Sequence, residues 1–270
     1  MKPGMLSAVL IAVLALAAGP GARAAVTSSA SQSLAHRAYT ALRNDYRHFY
    51  SGDRLLRLGF ALGAGAVIAN TGADNTMQDW YQKHLRGGSS DDIADVAKQF
   101  GEQKYLIPAS LLMAGIGELL PPGSATGPIG EWGRRTLRAY AVGYPAMLLL
   151  QHGTGGSRPG ETNHSSHWRP FQDDNGASGH AFVGAVPFLT LAHMSDSRPL
   201  RYLWYGVSAL SAWSRINDNA HFPSQALLGW YAAYEATGAV NDSERDNRQL
   251  HLSVLPVAPD GAQLVLSKRW

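Results

Sequence analysis

The chain of 270 residues contains no cysteine, so no disulfide can stabilise it. Packing has to hold the fold together, and a chain of this size can bury a sufficient core. The net charge is only +3, and the basic side chains form no cluster larger than the pairs Arg134 with Arg135 and Lys268 with Arg269. This pattern is typical of a solvated surface and argues against a nucleic-acid partner. No segment of the sequence repeats.

The sequence also lacks a long apolar run. A membrane-spanning helix needs about 20 consecutive apolar residues. The apolar stretches here are shorter, and Gly, Pro or a charged residue interrupts most of them. We therefore expect the buried helices of an all-α soluble domain, with a compact integral membrane protein as the alternative.

The N-terminus has the features of an export signal. Lys2 provides a positive charge, residues 6–18 are apolar, and residues 22–24 have the small-x-small pattern of a cleavage site. We expect residues 1–24 to be a signal peptide and the mature chain to begin near Ala25. The alternative is an uncleaved membrane anchor. The mature protein is then expected to be periplasmic or secreted, or associated with the cell envelope.

Apolar residues at helical spacing predict a helical domain over residues 25–240. Its predicted helices cover residues 34–49, 55–69, 74–85, 92–100, 105–120, 131–150, 180–193, 200–213 and 224–236. Residues 241–270 form a predicted C-terminal tail. Within it, residues 250–257 and 263–270 predict two short strands around the turn sequence Pro259-Asp260-Gly261, which indicates a β-hairpin.

Three polar stretches interrupt this helical pattern. The first, residues 151–159, is QHGTGGSRP. Its glycines allow backbone N–H groups to turn toward an anion, and the guanidinium of Arg158 can bind phosphate oxygens in a fork. Taken alone, this stretch favours the simpler interpretation of Arg158 as an ordinary surface arginine beside a turn.

The second stretch, residues 176–180, is GASGH and comes just before an apolar helix. Helix N-termini bind anions through free N–H groups and the helix dipole. Ser178 adds a hydroxyl and His180 a titratable ring at the same end. The simpler interpretation of Ser178 is an N-cap.

The third stretch, residues 214–225, is SRINDNAHFPSQ. His221 and Gln225 are four residues apart and would share one face of a helix. A partner on one ring nitrogen fixes the tautomer of a histidine and leaves the other nitrogen free to attack. A buried, hydrogen-bonded histidine without a catalytic role is the alternative.

Together the three stretches contain Arg-Pro, then Ser-Gly-His, then Ser-Arg-x5-His, in this order over residues 151–225. This arrangement resembles the type 2 phosphatidic acid phosphatase family, whose superfamily includes bacterial non-specific acid phosphatases and vanadium haloperoxidases. The family pattern is Lys-x6-Arg-Pro, Pro-Ser-Gly-His and Ser-Arg-x5-His-x3-Asp. The resemblance implies a helical bundle in which the three motifs converge.

The resemblance also implies a mechanism without metal or cofactor. His221 would be the nucleophile that forms a phosphohistidine. His180 would protonate the leaving alkoxide and then activate water. The phosphate oxygens would be held by Arg158, Ser178, the N–H of Gly179, and Arg215.

Three positions depart from the family pattern. Gln151 replaces a lysine, Ala177 replaces a proline, and Gln225 replaces the aspartate behind the nucleophile. A glutamine carbonyl can accept the His221 proton, but it cannot stabilise an imidazolium by charge. Asp218 could compensate for the missing carboxylate, although a loop or capping role is the simpler interpretation.

The leading functional hypothesis is an exported-side phosphatase acting on a phosphate ester, with lipid and isoprenoid phosphates among the candidate substrates and a membrane as a candidate partner. A non-catalytic phosphate-binding relative and a vanadate-dependent haloperoxidase are the alternatives. The pair His164 and His167 invites a metal site, but no cysteine or acidic residue lies at ligand spacing. We therefore expect no metal.

Overall fold

The computed structural model describes residues 29–119, 127–161, 166–257 and 261–268. The predicted signal peptide and His164 lie outside these residues. The described helices are α1 (Ser29–Phe49), α2 (Gly52–Asn70), α3 (Ala73–His84), α4 (Gly88–Gln99), α5 (Gln103–Leu119), α6 (Gly127–Thr154), α7 (Gly179–Met194), α8 (Arg198–Ser208), α9 (Leu210–Asn217) and α10 (Pro223–Gln249). Two compact units divide the chain: the first ends at Arg43, within α1, and the second starts at Asn44.

Helix α7 is the central helix of the second unit. It packs against α6, α8, α9 and α10. Its sequence is apolar on all sides, which is typical of a helix that is surrounded by other helices. Phe182, Val186 and Leu189 are fully buried in it. The predicted all-α class is confirmed, and the N-terminus of this buried helix carries the second sequence motif.

Two helix boundaries differ from the sequence prediction because of local hydrogen bonds. The sequence predicted a helix over residues 92–100, but α4 begins earlier, with Gly87 as its N-cap. Ser90 lies inside the first turn, where its hydroxyl accepts a hydrogen bond from the Gly87 N–H at 2.9 Å. The apolar stretch over residues 200–213 is two helices, since the chain breaks at Ala209 between α8 and α9.

The last helix is longer than predicted. Thr237 and Gly238 suggested its end, yet α10 continues to Gln249. The Thr237 hydroxyl donates to the Ala233 carbonyl, 2.9 Å away, within the helix. Gly238 accommodates the guanidinium of Arg54, since a Cβ here would lie 2.9 Å from one of its nitrogens. Tertiary packing therefore outweighs the low helix propensity of glycine, and the predicted domain boundary at 240/241 falls within a helix.

Two antiparallel strands follow α10. They are β1 (Leu250–Val257) and β2 (Gly261–Lys268), with Leu250 opposite Lys268 and Val257 opposite Gly261. The sequence predicted the first strand with these bounds and placed the start of the second at residue 263.

Buried ion pairs connect α10 to the helices before it. Arg54 of α2 pairs with Glu235, whose side chain is fully buried, and Arg57 contacts the same carboxylate at 2.8 Å. Arg138 of α6 pairs with Glu244 of α10, and it also contacts Asp45 of α1 at 2.6 Å. Removing one partner of a buried pair leaves an uncompensated charge, so these pairs restrict how α10 can pack.

Among the described residues, no single helix has both the length and the apolarity to cross a membrane. One bent pair, α2 with α3, satisfies both criteria when its helices are taken together, with an angle of 72° between them.

Candidate active site

The three polar stretches meet at a cavity of about 380 Å³. It is lined by Gly101, Glu102, Gln103, Lys104, Gln151, Arg158, Asn175, Gly179, His180 and His221. Five of the residues singled out from the sequence are in this set, and each motif contributes at least one of them. Residues 101–104, which are the end of the connection after α4 and the first turn of α5, form a wall that the motifs did not predict.

His221 lies in the turn between α9 and α10 and is only 4% exposed. The turn closes tightly, because the Arg215 carbonyl accepts hydrogen bonds from both the Ala220 and His221 N–H groups, at 2.9 and 3.1 Å. Arg215 and His221 are therefore held in fixed relation to each other. This local geometry explains why their spacing is recognisable in the sequence.

The hydrogen bonds of Gln225 determine the tautomer of His221. The Gln225 Nε2 donates to the Ser157 carbonyl at 2.8 Å, and Oε1 accepts from the Phe222 N–H at 3.1 Å. These contacts identify Oε1 as the amide atom that faces His221 Nδ1, 3.0 Å away. Nδ1 must then carry the proton, and Nε2 keeps its lone pair.

His221 is strongly biased toward its neutral form. Burial, the largest cause, and the nearby charges of Arg158 and Arg215 together lower its pKa to about 3, although the hydrogen bond to Gln225 acts in the opposite direction. A neutral imidazole with a lone pair is the form of histidine that can act as a nucleophile.

The second motif forms the N-terminus of α7. Gly179 and His180 line the cavity, whereas Ser178 is fully buried. The Ser178 hydroxyl accepts from the Ala181 N–H at 3.3 Å, as an N-cap does, and its N–H donates to the Gln225 carbonyl at 2.8 Å. This geometry favours the capping interpretation of Ser178 and ties the second motif to the third.

His180 contacts a residue that the sequence did not indicate. Its Nε2 lies 3.3 Å from Oε1 of Glu102. Burial and the charge of Arg215 lower the pKa of His180, and the hydrogen bond and charge of Glu102 raise it in opposition. A single glutamate after a Gly in a helix break carries no sequence signal, so only the fold could reveal this pair.

Arg158 is held by Asn175, a second residue that the sequence did not indicate. Arg158 Nε donates to Asn175 Oδ1 at 2.7 Å, and Asn175 in turn donates to Asp173 at 2.9 Å. Arg215 contacts Asp218 at 3.3 Å. Asp218 therefore lies against the arginine of the third motif, while Gln225 is the residue that contacts the His221 ring.

Gln151 occupies the position of the family lysine and lines the cavity. Its Nε2 donates to the Ala177 carbonyl at 3.1 Å. This hydrogen bond therefore connects the second motif to α6.

The glycines of the first two motifs allow the segments to pack closely. Gly155 has a positive φ of 61°, and a Cβ there would lie 1.8 Å from the Arg169 carbonyl oxygen. A Cβ on Gly176 would lie 1.5 Å from the hydroxyl of Thr154. Both positions therefore require glycine for close approach of the chain, a reason different from the anion binding that the sequence suggested.

The comparison with known families agrees with the motifs. The family model described as PAP2 superfamily matches residues 136–248, which include every site residue predicted from the sequence and exclude Glu102. This part of the chain is therefore similar to the PAP2 superfamily. No curated protein and no solved structure matches the chain significantly.

Proposed function

We propose that the protein is a metal-independent phosphomonoesterase that works through a phosphohistidine at His221. The observation that carries the proposal is the fixed tautomer of His221, because Gln225 and the Ser157 and Phe222 backbone groups leave its Nε2 lone pair available. The match of residues 136–248 to the PAP2 superfamily supports phosphatase-type chemistry.

The proposed reaction has two steps. In the first, His221 Nε2 attacks phosphorus, the bond from phosphorus to the leaving oxygen breaks, and His180 gives its proton to that oxygen. In the second, water attacks the phosphohistidine, His180 takes a proton from the water, and the bond from phosphorus to nitrogen breaks. Arg158, Arg215 and the Gly179 N–H are the groups proposed to stabilise the phosphate charge, which is the main requirement of phosphoryl transfer.

Phosphate release from p-nitrophenyl phosphate by wild type and by His221→Ala tests this function. We expect turnover by the wild type and none by His221→Ala. A bromination assay with added vanadate runs in parallel, since bromination without phosphate release would favour the haloperoxidase alternative. Neither activity, with phosphate still bound, would favour a non-catalytic relative.

We further propose that the substrate is a phosphate ester with an apolar group, such as a lipid or isoprenoid phosphate. Support comes from apolar side chains near the first motif. The Phe171 N–H donates to the His152 carbonyl at 2.8 Å, which places this residue beside the end of α6. Phe171 is 77% exposed and Leu149, one turn before His152, is 67% exposed. Phosphate release from phosphatidate and undecaprenyl phosphate, compared with a lipid A phosphate, would identify the class.

The exported location also stays a proposal, supported by the signal-like residues 1–24. We expect protein purified from the cell envelope to begin near Ala25. N-terminal sequencing measures this directly. A retained Met1 would contradict cleavage and favour the anchor.

A further inference from the structure

Glu102 lies outside the three motifs and outside the residues matched by the family model. It is in the short connection between α4 and α5, on the wall of the cavity. Gly101, just before it, allows that wall to approach α7, because a Cβ at this position would lie 2.9 Å from the Cβ of His180. The backbone at residue 101 is therefore packed directly against the base of the His180 side chain.

The contact between Glu102 and His180 has a defined donor and acceptor. The hydrogen bond to His180, the largest of the causes, lowers the pKa of Glu102 below its ordinary value, so its carboxylate is ionised near neutral pH. An ionised carboxylate only accepts hydrogen bonds. The proton of the 3.3 Å contact is therefore on Nε2 of His180. Nδ1 is the nitrogen left for proton exchange with a substrate.

The other charged groups around His180 are cations, which disfavour its protonated form. Arg215 of α9 and Arg158 of the first motif lower its pKa, and both are cations. His221 of α10 is neutral over most of the pH range because its pKa is about 3. The remaining contact from α9 is uncharged, with the Ser211 hydroxyl donating to the His180 carbonyl at 2.9 Å.

Among these groups of the described structure, the carboxylate that favours protonated His180 is that of Glu102. Lys104, the other charged residue of this wall, lies 3.6 Å from Glu102. Lys104 is largely exposed, so solvent screens its charge more than that of the partly buried pair.

We propose that Glu102 is the positioning residue of the general acid. It accepts the Nε2 hydrogen bond of His180 in both protonation states and stabilises the imidazolium by its charge. When the bond from phosphorus to the leaving oxygen breaks, the proton on Nδ1 passes to that oxygen, and His180 stays as the neutral tautomer with Nε2–H on Glu102. Water attack in the second step returns a proton to Nδ1. This inference rests on the proposed phosphatase function.

Two substrates separate this role from simple structural support. p-Nitrophenolate leaves readily without a proton, whereas the alkoxide of glycerol phosphate needs one. Glu102→Gln keeps an acceptor but removes the charge, and we expect kcat/KM for glycerol phosphate to fall by about tenfold or more. For p-nitrophenyl phosphate we expect a change below about threefold, since general acid catalysis contributes little there. In Glu102→Ala we expect kcat/KM for glycerol phosphate to fall further. The matched control is Asp92→Asn, which removes the charge of an exposed carboxylate on α4.

The pH profile provides a second measurement. The kcat/KM for glycerol phosphate should decline as pH rises through the pKa of His180, and this limb should move to lower pH in Glu102→Gln but not in Asp92→Asn. If Glu102→Gln lowered kcat/KM equally for both substrates and left the alkaline limb of the pH profile unmoved, the positioning role would be overturned and the phosphatase function would stand.

A titration that needs no turnover completes the test. NMR of histidine-labelled protein, with the His180 signals assigned from a His180→Gln variant, measures its pKa in wild type and in Glu102→Gln. We expect a lower pKa in Glu102→Gln. An unchanged pKa would overturn the inference even if no phosphatase substrate were found.

Discussion

At the scale of single residues, the amide of Gln225 has a role that a carboxylate cannot fully replace. Its oxygen accepts from the His221 ring and from the Phe222 N–H, and its nitrogen donates to the Ser157 carbonyl. An amide offers both a donor and an acceptor, whereas an ionised carboxylate only accepts. The residue at this position and the Ser157 carbonyl are therefore matched to each other.

Substitution of Gln225 should separate orientation from charge. Gln225→Leu removes the acceptor for His221, and we expect a loss of at least about tenfold in kcat/KM for p-nitrophenyl phosphate. Gln225→Glu keeps the acceptor but directs a second oxygen at the Ser157 carbonyl, so we expect a stability loss of about 1–3 kcal/mol in thermal unfolding. Gln172→Glu, at an exposed position, is the control. Full activity of Gln225→Leu would mean that another group orients the ring.

The pKa values of the two histidines predict an acidic activity range. In the proposed mechanism His221 must be neutral, and its pKa of about 3 keeps it neutral above that pH. His180 must be protonated as the acid, and its pKa lies below the ordinary 6.5. Activity should therefore rise as pH increases through about 3 and fall again before neutrality. A profile of kcat/KM for glycerol phosphate measures both limbs, and a rate that keeps increasing above pH 7 would contradict the assignment.

The sequence identifies residues whose geometry is local and misses residues that depend on tertiary contact. Arg215, His221 and Gln225 lie within one turn and the start of one helix, so their spacing encodes their arrangement. Glu102 is far from them in sequence and reaches His180 only because the connection between α4 and α5 packs against the start of α7. Ser178 was recognised as part of a motif, but the alternatives of capping and phosphate binding could be weighed only with its hydroxyl in place.

At the scale of secondary structure elements, α3 supports the turn between α9 and α10. Asp74 accepts hydrogen bonds from the N–H and the hydroxyl of Ser224, at the start of α10. A negative charge at a helix N-terminus interacts favourably with the free N–H groups and the dipole. Further along α3, Gln78 donates to Asn219 at 2.8 Å and Gln82 to the Ile216 carbonyl at 2.8 Å.

We expect Asp74→Ala to destabilise the protein by about 1–3 kcal/mol, because it leaves the Ser224 N–H buried without its partner. Asp74→Asn should lose less, since the amide oxygen still accepts. Asp79→Asn, on the exposed side of the same helix, is the matched control. Thermal unfolding monitored by circular dichroism gives the comparison. If Asp74→Ala unfolds like the control, then α10 does not depend on α3 for its start.

Helix ends were the least predictable feature at this scale. The pattern Thr237-Gly238 is a common helix end, and only the packing of the Arg54 guanidinium against Gly238 shows why the helix continues there. Such a contact joins residues that are far apart in the chain. The periodic cores of the helices, by contrast, were predictable because burial of one face repeats along the sequence.

At the scale of the whole molecule, substitution of the exposed Phe171 tests whether the substrate carries an apolar group. Phe171→Asn keeps a residue that tolerates the positive φ of 63° at this position. We expect kcat/KM for p-nitrophenyl phosphate to stay unchanged and the KM for phosphatidate in mixed micelles to rise severalfold. Tyr202→Asn, which removes another exposed ring on α8, should change neither value. Equal kinetics of wild type and Phe171→Asn on phosphatidate would remove the support that this ring gives to a lipid substrate.

The hydrogen bond from the Ser178 N–H to the Gln225 carbonyl, 2.8 Å long, also has a consequence for folding. It joins the second motif to a helix that is synthesised later than the motif, and contacts between distant segments form slowly. A growing chain that has not reached residue 225 can form most of its helices but has no partner for His221. In a refolding experiment, helical content should therefore return before catalytic activity, whose recovery marks the docking of α10.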